Sequence, residues 1–63
     1  MTWELYEVWS EDLDGHQVLV DTTKSLKEAK EIAVKSLGDD IAVVQIFLEV
    51  EDGDLELVEE LTK

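Results

Sequence analysis

Cysteine and arginine are absent from the 63 residues, histidine occurs once, at His16, and no apolar run is long enough to cross a bilayer. Each absence closes a class of function. Without cysteine there are neither disulfides to support a small core nor thiolates to hold a metal, and the chain carries no sign of redox compartment. One histidine, no arginine, no glycine-rich phosphate loop and no nucleophile elbow leave the usual apparatus of nucleophilic and phosphoryl-transfer chemistry missing. The start Met1-Thr2-Trp3-Glu4 has no basic segment, so the reading is an unexported, cytoplasmic protein with no membrane contact. Positive charge is scarce as well: five lysines stand against 17 acidic residues, for a formal net charge of −12. Phosphate contacts need a cationic footprint, so direct binding of nucleic acid is not expected.

What is present is a globular composition, 44% apolar and 35% charged. A chain of this length supports a single domain, residues 1–63, burying roughly 60% of its unfolded surface, with about 3–5 kcal/mol of stability from its core.

Trp3-Glu-Leu-Tyr-Glu-Val-Trp9 reads as a strand, followed by a turn ending in Asp14-Gly15 and a second β-rich run, His16-Gln-Val-Leu-Val-Asp21. A three-residue loop, Leu13-Asp14-Gly15 with Gly15 left-handed, sets Val8 opposite Val20, Trp9 opposite Leu19, Ser10 opposite Val18 and Glu7 opposite Asp21. A two- or four-residue loop would shift that register and reverse the faces. Over residues 25–37 the period changes. Leu26, Ala29, Ile32, Ala33 and Leu37 share one helical face, with Lys24, Lys27, Glu28, Glu31 and Lys35 opposite. Ser25-x-x-Glu28 fits a capping box, and Gly38 stands where a left-handed C-cap residue belongs. Ile41–Val50 is the longest apolar run and is rich in β-branched residues, hence a third strand. With Asp52-Gly53 as a two-residue turn, Val50 meets Leu55, Leu48 meets Leu57, Phe47 meets Val58 and Val44 meets Leu61. The rival for residues 55–62 is a short helix, because Leu-Glu-Leu-Val-Glu-Glu-Leu has good helix formers; the strand is preferred. The two hairpins are not read as a repeat.

The expected fold is therefore α+β, ββαββ, a four-stranded antiparallel sheet with one helix packed on one face. A right-handed crossover that skips one position gives the strand order 2-1-3-4 and centres the first and third strands, which are the two with apolar groups on both faces. The alternative order, 1-2-3-4, would pair the second and third strands in parallel.

One helix covers one face. On the third strand Ala42, Val44, Ile46, Leu48 and Val50 are uniformly apolar, so this set is expected to face the helix. On the first strand, burying Trp3, Leu5 and Trp9 would also bury Glu7 at a desolvation cost of several kcal/mol. Burying Tyr6 and Val8 instead leaves Glu4 near a strand end, within reach of water. The tryptophans are accordingly expected on the helix-free face; the opposite register, with them completing the core, is the alternative. The expected patch holds Trp3, Leu5, Trp9, Leu19, Val43, Phe47 and Val58 among Glu7, Asp21, Glu49, Glu56 and Glu60. Aromatic anchors framed by charge suit a protein interface.

Four of the five lysines, Lys24, Lys27, Lys30 and Lys35, lie on or just before the helix, and the hairpins hold nearly all the acids. The expected registers put Glu49 against Glu56 and Glu7 against Asp21, like-charge pairs that a cationic partner would relieve. Acidity also serves solubility and protects sheet edges, and dense acids suit high salt. Glu7 and Glu49 on adjacent strands are a nominal acid–base pair, but chance placement among 17 acids explains them as well, and no catalytic residue is assigned. Asp12-x-Asp14-Gly15 and Asp52-Gly53-Asp54-x-Glu56 lack the ligand series of a calcium loop and are read as turns; neither metal nor cofactor is expected.

The first hairpin, the Leu26-x-Glu28-Ala29 helix start and the following strand resemble, in element order over the first three-quarters of the chain, small phage proteins that inhibit host RNA polymerase. That resemblance implies a regulatory binding role and transfers no residue roles. The functional expectation is a small, acidic, non-catalytic module that engages a basic protein surface, competing there with nucleic acid. Its partner-binding residues would be Trp3, Leu5, Glu7, Trp9, Phe47, Glu49, Glu56, Val58 and Glu60. The competing expectation is a structural homodimer whose acidity maintains solubility.

Overall fold

The computed structural model describes residues 4–50 and 53–62. Trp3 and Asp52 lie outside the described residues. Strands β1 (Leu5–Asp12) and β2 (Gln17–Thr23) are followed by helix α1 (Leu26–Ser36) and strands β3 (Ile41–Glu49) and β4 (Leu55–Thr62). All neighbouring strands are antiparallel, and the sheet order is β2-β1-β3-β4, as the apolar pattern of β1 and β3 requires. Residues 55–62 form a strand, not a helix.

The core lies between α1 and one face of the two central strands. Tyr6, Val8, Val44 and Ile46 are buried from the sheet side, and Ala29 and Ala33 from the helix side. Val8, Val44 and Ile46 have no exposed surface, and each such side chain contributes about 1.5–3 kcal/mol by leaving water. Ala29 and Ala33 present only a methyl group to the sheet, which lets the helix backbone approach it closely. Leu26, Ile32, Leu37, Ile41, Leu48 and Leu61 close the margins. Tyr6 pairs with Leu48, Val8 with Ile46 and Ser10 with Val44, so the helix side is the one inferred from the uniform face of β3.

Helix α1 starts as its sequence suggests but with an added member. Ser25 Oγ accepts the Glu28 amide at 3.4 Å, half of a capping box. In the other half, the Ser25 amide donates to Thr23 Oγ1, which itself donates to Glu28 Oε2 at 2.7 Å. The buried Thr23 hydroxyl thus stands between Ser25 and the Glu28 carboxylate. The helix ends differently from the expectation. Leu37 is extended and its amide is shared between the carbonyls of Ala33 and Val34. Gly38 has no positive φ and instead accepts the Ile41 amide in the turn that enters β3.

Each hairpin has a left-handed glycine just before the residue that closes it, at φ 88° for Gly15 and 83° for Gly53. In the first, the Asp12 amide donates to the His16 carbonyl and the Gly15 amide to the Asp12 carbonyl; in the second, Val50, Asp54 and Gly53 repeat the pattern. The second loop is therefore not the expected two-residue turn, and Leu55 lies opposite Glu49 rather than Val50. A bulge then interrupts each hairpin. Leu19 faces Trp9 and Val18 faces Ser10 as expected, but Asp21 faces Val8 and Thr22 faces Glu7, which leaves Val20 without an opposite number. In the same way Leu61 faces Val44 and Glu59 faces Ile46, but Leu57 faces Phe47 and Glu56 faces Leu48, and the unmatched residue is Val58. The expected pairs Glu7 with Asp21 and Glu49 with Glu56 are thus absent, as are Val8 with Val20, Leu48 with Leu57 and Phe47 with Val58.

Loop, glycine and bulge recur at matching places, so the two hairpins are related by an approximate twofold axis through the Val8–Ile46 pair. Trp9 corresponds to Phe47, Glu11 to Glu49, Leu19 to Leu57, Val20 to Val58 and Asp21 to Glu59. A third register shift, between Glu11 and Asp12 where β1 meets β3, falls outside this symmetry. There the Leu13 amide donates to the Asp40 carbonyl at 3.2 Å and ties the first turn to the entry of β3.

Because Ile46 sits at this axis with no exposed surface, Ile46→Ala should cost about 2–5 kcal/mol, most of what so small a domain has. Val34, 60% exposed on the outer helix face, should tolerate alanine to within about 0.5 kcal/mol. Urea titration followed by circular dichroism measures both. Equal losses would place the core elsewhere.

Candidate functional site

The face of the sheet away from α1 is built by alternation along each strand. From β1 it receives Leu5, Glu7, Trp9 and Glu11, and from β3 it receives Val43, Gln45, Phe47 and Glu49. The pairings extend it to Gln17, Leu19 and Thr22 on β2 and to Leu55, Leu57, Glu60 and Thr62 on β4. Leu5, Glu7, Trp9, Val43, Gln45 and Phe47 are each half-buried, screened by one another rather than by a second layer. Leu19, Leu55 and Leu57 are more open, at 43%, 45% and 48% exposed.

Of the residues expected here, Leu5, Glu7, Trp9, Phe47, Glu49 and Glu60 share the face. Glu56 does not. The second hairpin pairs Leu55 with Glu49, so between the loop and the bulge at Val58 β4 is one residue out of the expected register, and Glu56 stands opposite Leu48 and belongs to the helix side. Asp21 is moved by the bulge at Val20 and stands opposite Val8. Val58 is the bulged residue itself and is 38% exposed. Leu55, Leu57, Glu11 and Gln45 were not among the expected partner-binding residues. A usable signal was available, since Gly15 and Gly53 are each followed at equal distance by Leu-Val and an acid, Leu19-Val20-Asp21 and Leu57-Val58-Glu59.

Three carboxylates on this face are held by neutral donors. Trp9 Nε1 donates to Glu7 Oε1 at 2.9 Å, Gln45 Nε2 to Glu60 Oε2 at 3.3 Å, and Gln17 Nε2 to Glu11 Oε1 at 3.3 Å. An indole or amide N–H orients a carboxylate without cancelling its charge. None of the four strands contains a lysine or arginine. The contrast is on the other side, where Lys30 of α1 lies 3.5 Å from Glu59. At the centre of the face, Glu7 stands opposite Phe47 and Trp9 opposite Gln45, giving a square with two aromatic residues on one diagonal and a carboxylate and an amide on the other.

The first turn gathers Asp12, Asp14 and His16, whose ligand-type atoms lie within 4.8 Å of one another. Asp12 Oδ1 accepts the amides of both Asp14 and His16 at 2.9 Å, and its Oδ2 lies 3.4 Å from His16 Nδ1. The Asp12 carboxyl is held below its ordinary value, first by the His16 amide, against a smaller opposing effect of burial. These bonds are those of a hairpin turn. Among the described residues no helix is long and apolar enough to cross a membrane.

The fold class these observations define is a four-stranded antiparallel α+β sheet with one helix and one open, acidic, aromatic face. Compared with protein-family models, with curated proteins and with solved structures, the chain finds no match.

On the helix side, Tyr6 donates its hydroxyl proton to Glu4 Oε2 at 2.7 Å, and this bond, with burial and the nearby negative charge, raises the phenol above its ordinary value of 10.0. The sign follows directly. A raised folded-state value means the contribution is complete below pH 10 and is lost as pH climbs through the folded-state value. Absorbance at 295 nm should show the lone tyrosine ionising above pH 10, and Glu4→Gln should lower its midpoint. An unchanged midpoint in the variant would assign the shift to burial alone.

Proposed function

We propose that this protein is a non-catalytic binding and regulatory module that engages a basic protein surface through the helix-free face of its sheet. The observation that carries the reading is the state of the carboxylates there: Glu7, Glu11 and Glu60 are oriented by an indole and two amides, and among the described residues the ion pairs, Lys30 with Glu59 and His16 with Asp12, involve none of the three. Orienting a charge while leaving it uncompensated costs stability within a chain already at −12, and a cationic partner recovers that cost. Trp9 and Phe47 supply the aromatic area that interface centres favour, and the flanking leucines supply apolar contact. A surface of this charge competes with phosphates for the same basic partner, which gives the module an inhibitory action on a nucleic-acid-binding protein. Face-to-face homodimerisation is disfavoured, because it would press Glu7, Glu49 and Glu60 of two copies together.

The test starts with affinity capture from the source cell at low and moderate salt, followed by measured affinity for the protein recovered. Trp9→Ala should weaken that binding by about 2 kcal/mol or more and destabilise folding far less than Ile46→Ala does. Glu49→Lys should slow association and flatten its salt dependence, since peripheral charge chiefly steers encounter. A folded Trp9→Ala variant that binds as tightly as the parent would eliminate this face. Sedimentation that shows a salt-independent dimer at micromolar concentration would favour the structural homodimer instead.

A further inference from the structure

We infer that the central square of this face, Glu7, Trp9, Gln45 and Phe47, is a receptor for a single arginine side chain of the partner. The inference rests on the binding role proposed above and names the group that is read. The four residues come from the two central strands, paired Glu7 to Phe47 and Trp9 to Gln45, and all four are half-buried. Directly opposed residues hold their Cβ atoms about 4.5–5.5 Å apart and diagonal ones about 7–8 Å apart, so one group lying over the square reaches all four side chains.

The polar diagonal provides acceptors at both ends. Glu7 Oε1 is tied to the Trp9 indole, so the carboxylate is fixed in place while Oε2 remains an acceptor. Gln45 is oriented by its bond to Glu60: a carboxylate only accepts, so the amide nitrogen must face Glu60, and the amide oxygen is left to accept from a ligand. The other diagonal provides two aromatic side chains. A guanidinium carries five N–H donors in a plane, stacks on aromatic rings and is weakly hydrated, so it satisfies both acceptors and meets the rings with little loss of water. A lysine ammonium is compact and strongly hydrated, and must shed more water to enter a half-buried site.

The approximate twofold axis supplies an internal control. It relates Trp9 to Phe47 and Glu7 to Gln45, so only one end of the polar diagonal is charged. Glu7→Gln equalises the two ends and removes the charge, while keeping the size of the side chain and an acceptor for the indole.

The experiment titrates the intact chain with two capped peptides of equal length and charge, one with four arginines spaced by glycine and one with four lysines. Readouts are the Trp9 indole N–H resonance, assigned from Trp9→Phe, and the backbone amides. The arginine peptide should bind at least fivefold tighter and shift the Trp9 indole together with the amides of Glu7 and Gln45. Glu7→Gln, verified as folded by circular dichroism, should reduce that preference to less than twofold, and Phe47→Leu should weaken arginine binding more than lysine binding. Equal affinities with shifts on this face would overturn arginine recognition and leave the basic-partner reading intact. Shifts confined to the turns or the helix side, or no shifts with either peptide, would overturn both.

Discussion

A single helix can shield one side of a four-stranded sheet, and the rest of this molecule follows from how that limit is met. Helix α1 meets the sheet through Ala29 and Ala33, and the sheet answers with Val8, Val44 and Ile46. Those contacts supply the core, and they use only one set of the alternating side chains of β1 and β3. The other set is equally rich in large side chains, with Leu5, Trp9, Val43 and Phe47, and nothing in the described chain lies over it. The side chains there screen one another only partly. A second helix would have made this an ordinary two-sided core, and its place is taken by a chemically distinctive surface.

The charge distribution is consistent with that division. Lysines cluster on and just before the helix, where Lys30 can reach Glu59, whereas the strands are without a basic residue. Like charges scattered over one small surface repel, and the molecule tolerates this where neutral donors hold the carboxylates at fixed positions. Fixing a carboxylate in advance lowers the ordering cost when a cation arrives, the general advantage of preorganisation. The functional reading and the arginine receptor both draw on this property, one for the face as a whole and the other for its centre.

The elements, their order and the side covered by the helix were legible in the sequence because each rests on a strong local signal. The period of residues 25–37, the uniform apolar set from Val44 to Leu48 and the presence of Glu7 among the tryptophans each exclude a specific alternative. What is less legible is register: in the first hairpin it holds for the pairs next to the loop and slips past the bulge, whereas in the second it holds at Val44 with Leu61 and slips next to the loop, where Leu55 pairs with Glu49. Val20 and Val58 are ordinary strand residues in composition, and nothing about a valine announces that it will be left over in a bulge. Past the bulge in the first hairpin, and between the loop and the bulge in the second, each side chain changes face relative to the expectation, which carries Asp21 and Glu56 to the helix side and brings Leu55 and Leu57 to the open one. Gly38 misled for a related reason. Its place after the helix suits a left-handed cap, but the chain needed an extended Leu37 and a turn into β3, which Gly38 serves by its carbonyl.

The two bulges lie on the two outer strands, one on each border of the sheet. A strand arriving from another molecule would begin in step with the free border, then meet a residue that puts donors and acceptors out of phase. The ladder could not be extended past that point without distorting the newcomer in the same way. Both borders are therefore poor templates for a further strand, which works against a sheet with an uncovered aromatic side serving as the first layer of a fibre.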